Sequence, residues 1–281
     1  TVSDGTLVAA NAAALGEAGG TNTVASGATL NINNVSITSE NVSIAGTGVG
    51  AAGALTGTGT ASWGGNVTMT VASTIGTAAA TDTLALNGVV SAGGFSTTIS
   101  GPGSVTASNA SNDFATVNIN NAKNVSLRDV NAIALGGGAS TLTGNLVVQA
   151  ADNVTVANTI TTTGGDITLA GTNFVNNVGA SALSASGRWL IYANTETGNT
   201  FNGLLSGNQA IWGTGYPAAV SQTGNRYVFA NSPTLAVTSQ NRSKTYGQDG
   251  APIVAGAYTA TGFIDAVTYG NVFTQDTQAN T

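Results

Sequence analysis

The sequence contains no cysteine and no histidine in its 281 residues. The lack of cysteine excludes a disulfide framework and thiolate chemistry. The lack of histidine removes the usual general base and the most common transition-metal ligand. Charged residues are also scarce, at 6% against roughly a quarter in an average soluble domain. We therefore expect no cofactor, and we expect that the protein is not an enzyme.

Basic residues are few and unevenly placed. All six lie after residue 122, and the net charge is −6: Lys123, Arg128, Arg188, Arg226, Arg242 and Lys244. We therefore expect neither nucleic acid nor an anionic membrane as a partner. The sequence has no run of about eighteen apolar residues, which predicts that it has no membrane span. It also begins without the features of a secretory signal, so we expect that signal to be absent or already removed.

What the sequence has instead is an apolar pattern that returns about every 21 positions, in a chain with 42% hydrophobic residues and 39 glycines. One ladder consists of Leu84, Val105, Val125, Leu146, Ile167 and Trp189. A second lies two residues later, at Leu86, Ala107, Leu127, Val148, Leu169 and Ile191. Two residues is the strand period, so both ladders share one strand face. A fixed period near twenty indicates stacked repeats.

Each regular coil contains three short strands separated by Gly, Asn or Asp, as in residues 145–148, 153–156 and 159–161. This pattern predicts an all-β parallel β-helix with about 21 residues and three strands per coil. The second face is predicted to carry Ile133, Val154 and Val175, and a less regular third face Leu142, Ile160 and Leu183. Asparagines at the corners are expected to form hydrogen bonds with neighbouring coils.

The chain divides into four predicted segments. Residues 1–81 form less regular coils, residues 82–187 the regular β-helix, and residues 188–233 an aromatic-rich end. Residues 234–281, which follow Pro233, show a different alternation and are predicted to form a small C-terminal β-domain. The aromatic residues of the third segment either cap the open end of the helix or form a ligand platform. Trp212 and Tyr216 are the candidates for surface binding.

Several stretches resemble the repeats of filamentous haemagglutinin-type exoproteins, which are bacterial adhesins exported by two-partner secretion. They are residues 125–136 (VSLRDVNAIALG), 141–148 (TLTGNLVV), 164–170 (GGDITLA) and 187–192 (GRWLIY). The tail, with SKTYG at 243–247, is similar to the MBG-type modules that follow such helices. The resemblance covers residues 82–281.

The resemblance implies a right-handed parallel β-helix that is secreted to the bacterial cell surface through an outer-membrane two-partner secretion transporter. It implies a role in adhesion, aggregation or biofilm matrix, with cell-surface glycans or proteins as partners. The Asn-Pro-Asn signature of the family's secretion domain does not occur in the sequence. We therefore expect the chain to be an internal segment of a longer exoprotein.

Carboxylates are the remaining candidates for chemistry. Asp82 and Asp166 are predicted at equivalent coil positions four coils apart, which is too far for acid–base partnership. Asp129 and Asp152, with Arg128, form the best cluster, either as a calcium site or as solvated turn residues. A polysaccharide-active β-helix enzyme is the first alternative function. The stalk of a contact-dependent toxin delivery protein is the second.

Overall fold

The computed structural model describes residues 1–16, 19–249 and 257–275. These residues form an all-β solenoid of parallel sheets, with about nine turns of about 21 residues each. The predicted parallel β-helix is therefore confirmed. Two short 3₁₀ helices, Val49–Ala51 and Ala266–Tyr269, interrupt the strands. In the part of the chain that the structure describes, neither these nor any other helix has the length and apolarity needed to cross a bilayer.

The strands as far as residue 107 are β1 (Thr6–Ala9), β2 (Thr21–Val24), β3 (Thr29–Asn33), β4 (Ser36–Ile37), β5 (Asn41–Gly46), β6 (Leu55–Thr58), β7 (Thr60–Trp63), β8 (Val67–Thr77), β9 (Thr83–Leu86), β10 (Val90–Ser91), β11 (Ser96–Ser100) and β12 (Ser104–Ala107). The strands after residue 107 are β13 (Thr116–Asn120), β14 (Val125–Asp129), β15 (Ile133–Leu135), β16 (Ser140–Leu142), β17 (Leu146–Ala150), β18 (Val154–Val156), β19 (Ile160–Thr162), β20 (Ile167–Ala170), β21 (Phe174–Asn176), β22 (Leu183–Ala185), β23 (Trp189–Ala193), β24 (Arg226–Phe229), β25 (Ala236–Ser239) and β26 (Tyr258–Thr261).

The first sheet consists of nine parallel strands in the order β4, β7, β9, β12, β14, β17, β20, β23 and β24. Val125 is paired with Val105 on one side and with Leu146 on the other. The predicted ladder from Leu84 to Trp189 is confirmed at every step. Each fully buried aliphatic side chain of this ladder contributes about 1.5–3 kcal/mol to the hydrophobic stabilisation.

The second ladder is confirmed from Ala107 to Ile191 and continues beyond the predicted positions. Ile191 is paired with Tyr227 of β24, and Leu86 is paired with Trp63 of β7. Large aromatic side chains therefore occupy this file near both ends of the stack.

The second sheet has twelve strands and branches at β8. Val67, near the beginning of β8, is paired with Val42 of β5, whereas Ile75, near its end, is paired with Leu55 of β6. One long strand thus follows two successive sides of the coil. This explains why the periodic pattern is less regular in the first 81 residues.

The predicted row on the second face is wrong at its last position. Ile133 is paired with Val154, but Val154 is paired with Phe174 and not with Val175. Phe174 is buried, and Val175 is partly exposed. Val154 and Phe174 are 20 residues apart, one fewer than the 21-residue period. The inward position on β21 is therefore residue 174 and not residue 175.

The third sheet contains β16, β19 and β22, and its predicted row is also partly wrong. Ile160 is paired with Ser140 and Leu183, whereas Leu142 is paired with Thr162. Both hydroxyl side chains are buried at inward positions. Hydrogen bonds to backbone groups satisfy them, which allows two polar residues to replace apolar ones in the core.

Asparagine and aspartate side chains connect successive coils at the corner before the first sheet, as predicted for corner asparagines. The backbone N–H of Asn145 donates to Oδ1 of Asn124 at 2.8 Å. The N–H of Asp166 donates in the same way to Asn145 at 2.8 Å, and the N–H of Arg188 to Asp166 at 2.8 Å. We call Asn124, Asn145 and Asp166 the corner ladder. It satisfies backbone donors at the turns, where no sheet partner is available.

The described residues of the C-terminal segment lie in two different environments. Strands β25 and β26 form an exposed antiparallel pair. By contrast, Ala266, Val272 and Phe273 are buried in the core of the solenoid. The predicted module also includes residues 250–256 and 276–281, which lie outside the described residues. The division of the chain into four segments stays a prediction.

Candidate functional site

Asp129 lies at the corner that follows the first sheet and is buried there, with 2% of its surface exposed. Its Oδ2 accepts the N–H of Phe114 at 2.6 Å, and its Oδ1 accepts the N–H of Asn131 at 2.9 Å. Asp113 accepts a bond from Nδ2 of Asn131 at 3.0 Å. The Asp129 carboxylate therefore joins the corners of two successive coils.

Burial raises the pKa of Asp129 above its ordinary value of 3.8. The hydrogen bonds from the backbones of Phe114 and Asn131 lower this pKa, and the neighbouring charge of Asp113 raises it. The net direction is upward because water is excluded from the carboxylate. This arrangement is typical of a structural carboxylate that satisfies backbone donors.

Asp152, the other predicted member of this cluster, has an exposed side chain on the adjacent coil. Its backbone N–H donates to the carbonyl of Asn131 at 3.1 Å, and its carbonyl accepts from Thr172 at 2.8 Å. Within the described ranges, no group of three or more His, Cys, Asp or Glu side chains is placed to hold a metal. Calcium binding at Asp129 and Asp152, the alternative that the sequence left open, stays untested.

The other two carboxylates considered from the sequence have structural partners. Asp82 accepts backbone N–H groups from Gly59 at 2.9 Å and from Ala79 at 2.7 Å. Asp166 belongs to the corner ladder and lies 4.0 Å from Nε of Arg188. The predicted equivalence of the two is wrong by one position, since the strand register aligns Asp166 with Thr83.

The aromatic residues after Arg188 close the end of the solenoid. Four of the seven aromatic residues in the segment 188–233 are buried in this cap: Trp189, Phe201, Tyr227 and Phe229. The Tyr227 ring lies 4.8 Å from that of Phe201 and 5.1 Å from that of Trp189, and its hydroxyl donates to the carbonyl of Leu204 at 2.7 Å. Phe273 covers this cluster from the C-terminal segment. This packing favours the cap over the ligand platform for these residues.

Trp212 and Tyr216, the predicted surface-binding residues, are half-buried and lie in different places. Trp212 belongs to the cap, 4.9 Å from the ring of Phe229 and 6.2 Å from that of Phe273. It also borders an apolar cavity of about 190 Å³ beside Pro233. Tyr216 lies on the outside of the first sheet, with its ring 5.4 Å from that of Tyr192 in an edge-to-face arrangement.

Residues 213–225 form a loop, and its part from 216 to 222 folds over the outer surface of the first sheet near the end of the solenoid. Leu190 and Tyr192 alternate with the inward Ile191, so both point outward, and they pack with Val220 of the loop in a second apolar cluster. The hydroxyl of Tyr192 donates to the carbonyl of Ala218 at 2.9 Å. Nη2 of Arg188 donates to the carbonyl of Val220 at 3.0 Å. These contacts hold the loop in place beside the exposed part of the sheet.

Beside Gly215 and Tyr216, the loop leaves a cleft of about 220 Å³ against the sheet. We call this cavity the loop cleft. Its polar side chains are Gln149 from β17, Thr172 after β20 and Asn194 after β23, and Tyr216 borders it from the loop. Alanine and glycine make up most of the remaining lining, which contains no carboxylate, lysine or arginine. It is the candidate site that the geometry supports best.

Sequence reasoning identified Tyr216 but not the other polar residues of the loop cleft. Gln149, Thr172 and Asn194 come from three successive coils, and each is an ordinary polar residue of its own repeat. Only the 21-residue register, together with the position of the loop, brings them to one place. The register could be read from the sequence, whereas the position of the loop could not.

Comparison with protein-family models, with curated proteins and with solved structures found no match to this chain.

Proposed function

We propose that the chain is the rod-like segment of a secreted bacterial exoprotein of the filamentous haemagglutinin type, which projects from the cell surface and makes adhesive contacts. The observation that carries this proposal is the uninterrupted first sheet, in which nine parallel strands continue from coil to coil. About nine turns at about 4.8 Å per turn span about 40 Å. A stack of this kind extends in one direction, as a stalk requires.

The surface of the rod supports contact rather than catalysis. The chain has no histidine and no cysteine. The buried carboxylate of Asp129 is held by two backbone N–H groups. Outward positions along the first sheet carry small polar or apolar side chains such as Ser126, Val147 and Thr168. A repeated surface of this kind provides many weak contacts that sum to useful avidity. Secretion through an outer-membrane transporter, and a role in aggregation or biofilm, rest on the family resemblance.

Adhesion is tested with beads that carry the purified chain, mixed with epithelial cells and, separately, with one another. Beads coated with serum albumin at the same density serve as the control. We expect the chain-coated beads to attach to cells or to aggregate well above that control. Attachment and aggregation equal to the albumin beads would contradict the proposal.

A further inference from the structure

We propose that the loop cleft binds a short neutral oligosaccharide. The inference deepens the proposed function, since it assigns a ligand class to one surface of the adhesive rod. The cleft is concave, and its lining combines backbone, amide and hydroxyl groups with one accessible tyrosine. Ligand sites are commonly clefts in which a few polar groups fix the orientation of the ligand.

The charges around the loop cleft favour an uncharged ligand. None of its lining residues carries a carboxylate, ammonium or guanidinium group. The nearest charged residues along the chain and in the strand register are of both signs: Asp152 next to Ala151, Asp129 paired with Ala150, and Arg128 paired with Gln149. The whole chain has a net charge of −6. The loop cleft therefore offers no cluster of cations to attract a polyanion, whereas the binding of a neutral polyol does not depend on such charges.

The polar groups of the loop cleft match the groups of a sugar. The amides of Gln149 and Asn194 each offer two donors and an acceptor oxygen. The hydroxyl of Thr172 donates to the carbonyl of Ala151 at 3.0 Å, so its oxygen can accept from a ligand. Gln149 and Asn194 are not fully buried, and their amides can exchange water for ligand hydroxyls at small cost.

Tyr216 provides the apolar part of the site. Tyr192 and the second apolar cluster hold its ring in place, so the ring loses little freedom when a ligand binds. A tyrosine offers a flat apolar face together with a polar tip, which suits the apolar face and the hydroxyl rim of a pyranose ring.

The direction of the loop cleft favours an oligosaccharide over a single sugar. Ala151, Thr172 and Asn194 lie on three successive coils along the solenoid axis and are at least partly exposed to solvent. The hydroxyl of Thr172 contacts the carbonyl of Ala151, and the N–H of Asn194 donates to the carbonyl of Thr172 at 3.1 Å. Successive coils are separated by about 4.8 Å. A linear ligand placed along the axis would meet one of these residues at every coil.

The test begins with an array of neutral gluco-, galacto-, manno- and N-acetylhexosamine oligosaccharides, with heparin-derived oligosaccharides printed on the same array. The best neutral glycan is then titrated into the full chain labelled with nitrogen-15. We expect saturable chemical-shift changes at Gln149, Thr172, Asn194 and Tyr216. No binding to any neutral glycan, binding to heparin oligosaccharides only, or shifts confined to another surface would each overturn the inference.

Variants locate the binding. Tyr216→Ala is expected to weaken the affinity by about five- to tenfold, and Tyr216→Phe by less than about twofold because it keeps the ring. Tyr246→Ala, in the exposed tail, is the matched control and leaves binding unchanged. Gln149→Ala tests the site independently, because Gln149 lies outside the aromatic packing and its removal leaves the loop in place. This variant is also expected to weaken binding. Wild-type affinity in both Tyr216→Ala and Gln149→Ala would refute the site.

This result and the bead experiment are distinguishable. If Tyr216→Ala loses glycan binding but beads coated with this variant still adhere, the loop cleft is confirmed as a glycan site and adhesion depends on other surfaces. If wild-type beads fail to adhere while the titration succeeds, the site stands and the adhesive role does not.

Discussion

Gly165 lies so close to Asn145 that a methyl group at position 165 would collide with Oδ1 of Asn145, the atom that accepts the N–H of Asp166. Gly144 has the same relationship to Asn124, and Gly187 to Asp166. None of the three glycines has a positive φ. Space, rather than backbone conformation, therefore requires glycine before β17, β20 and β23, and this requirement links the corner ladder to the coil register.

Gly165→Ala is expected to lower the free energy of unfolding by about 1–3 kcal/mol, because the added methyl group must displace the corner ladder or the neighbouring backbone. Gly138→Ala is the matched control, since a methyl group there would make only ordinary contacts with Asn118. The control is expected to be neutral or slightly stabilising. Urea unfolding of both variants measures the difference, and equal stabilities would show that the glycine is not required for space.

The stability of the protein is expected to depend on pH through Asp129. Burial holds the pKa of this carboxyl above 3.8 in the folded protein. In the pH range just above that value, the folded protein binds more protons at this site than the unfolded chain does. The contribution of Asp129 to the free energy of unfolding therefore falls as the pH rises through this range.

Asp129→Asn removes this titration. We expect the stability of the wild type, relative to this variant, to be greater at about pH 4 than at about pH 7 when both are unfolded in urea. Asp152→Asn makes the same change of charge at an exposed position and is expected to cost less than about 0.5 kcal/mol at neutral pH. A stability difference between the wild type and Asp129→Asn that is independent of pH would contradict the assigned environment.

Phe273 is expected to be essential for closing the end of the solenoid. Phe273→Ala would remove a buried ring from contact with Phe201, Tyr227 and Phe229, at a cost of about 3–5 kcal/mol. Phe95→Ala is the matched control, because that ring is 39% exposed. Thermal unfolding followed by tyrosine and tryptophan fluorescence compares the two. If Phe273→Ala is no more harmful than the control, the C-terminal segment is not part of the cap.

The first sheet could be predicted from the sequence because both of its ladders keep a nearly constant spacing. The second face could not be predicted fully, since one connection is shorter by a residue and Phe174 takes the inward position expected for Val175. On the third face, Ser140 and Thr162 are buried, and a search for apolar residues cannot recognise them. The first error comes from a shortened connection and the second from polar residues at inward positions, and a fixed apolar period records neither.

The candidate site was predictable only in part. Tyr216 stood out because aromatic residues cluster after Arg188, but the sequence did not separate the cap residues from the one that borders the loop cleft. The distinction between these residues depends on the loop that packs on Leu190 and Tyr192. This loop has no repeat, so the sequence pattern does not predict its contact with outward side chains of the sheet. Asp129 could likewise be recognised from the sequence as one of few charged residues. Its hydrogen bonds to Phe114 and Asn131 could not, because they depend on tertiary structure.

The absence of native cysteine permits a direct measurement of the coil register. Ser126 and Val147 are paired on adjacent coils, and Thr168 lies one coil further. Paired positions about 4.8 Å apart suit a disulfide, whereas positions two coils apart, at about 9.6 Å, are too distant. We predict rapid disulfide formation between cysteines introduced at 126 and 147, and none between cysteines at 126 and 168. Equal oxidation of both pairs, or oxidation of the second pair alone, would contradict the stacked solenoid.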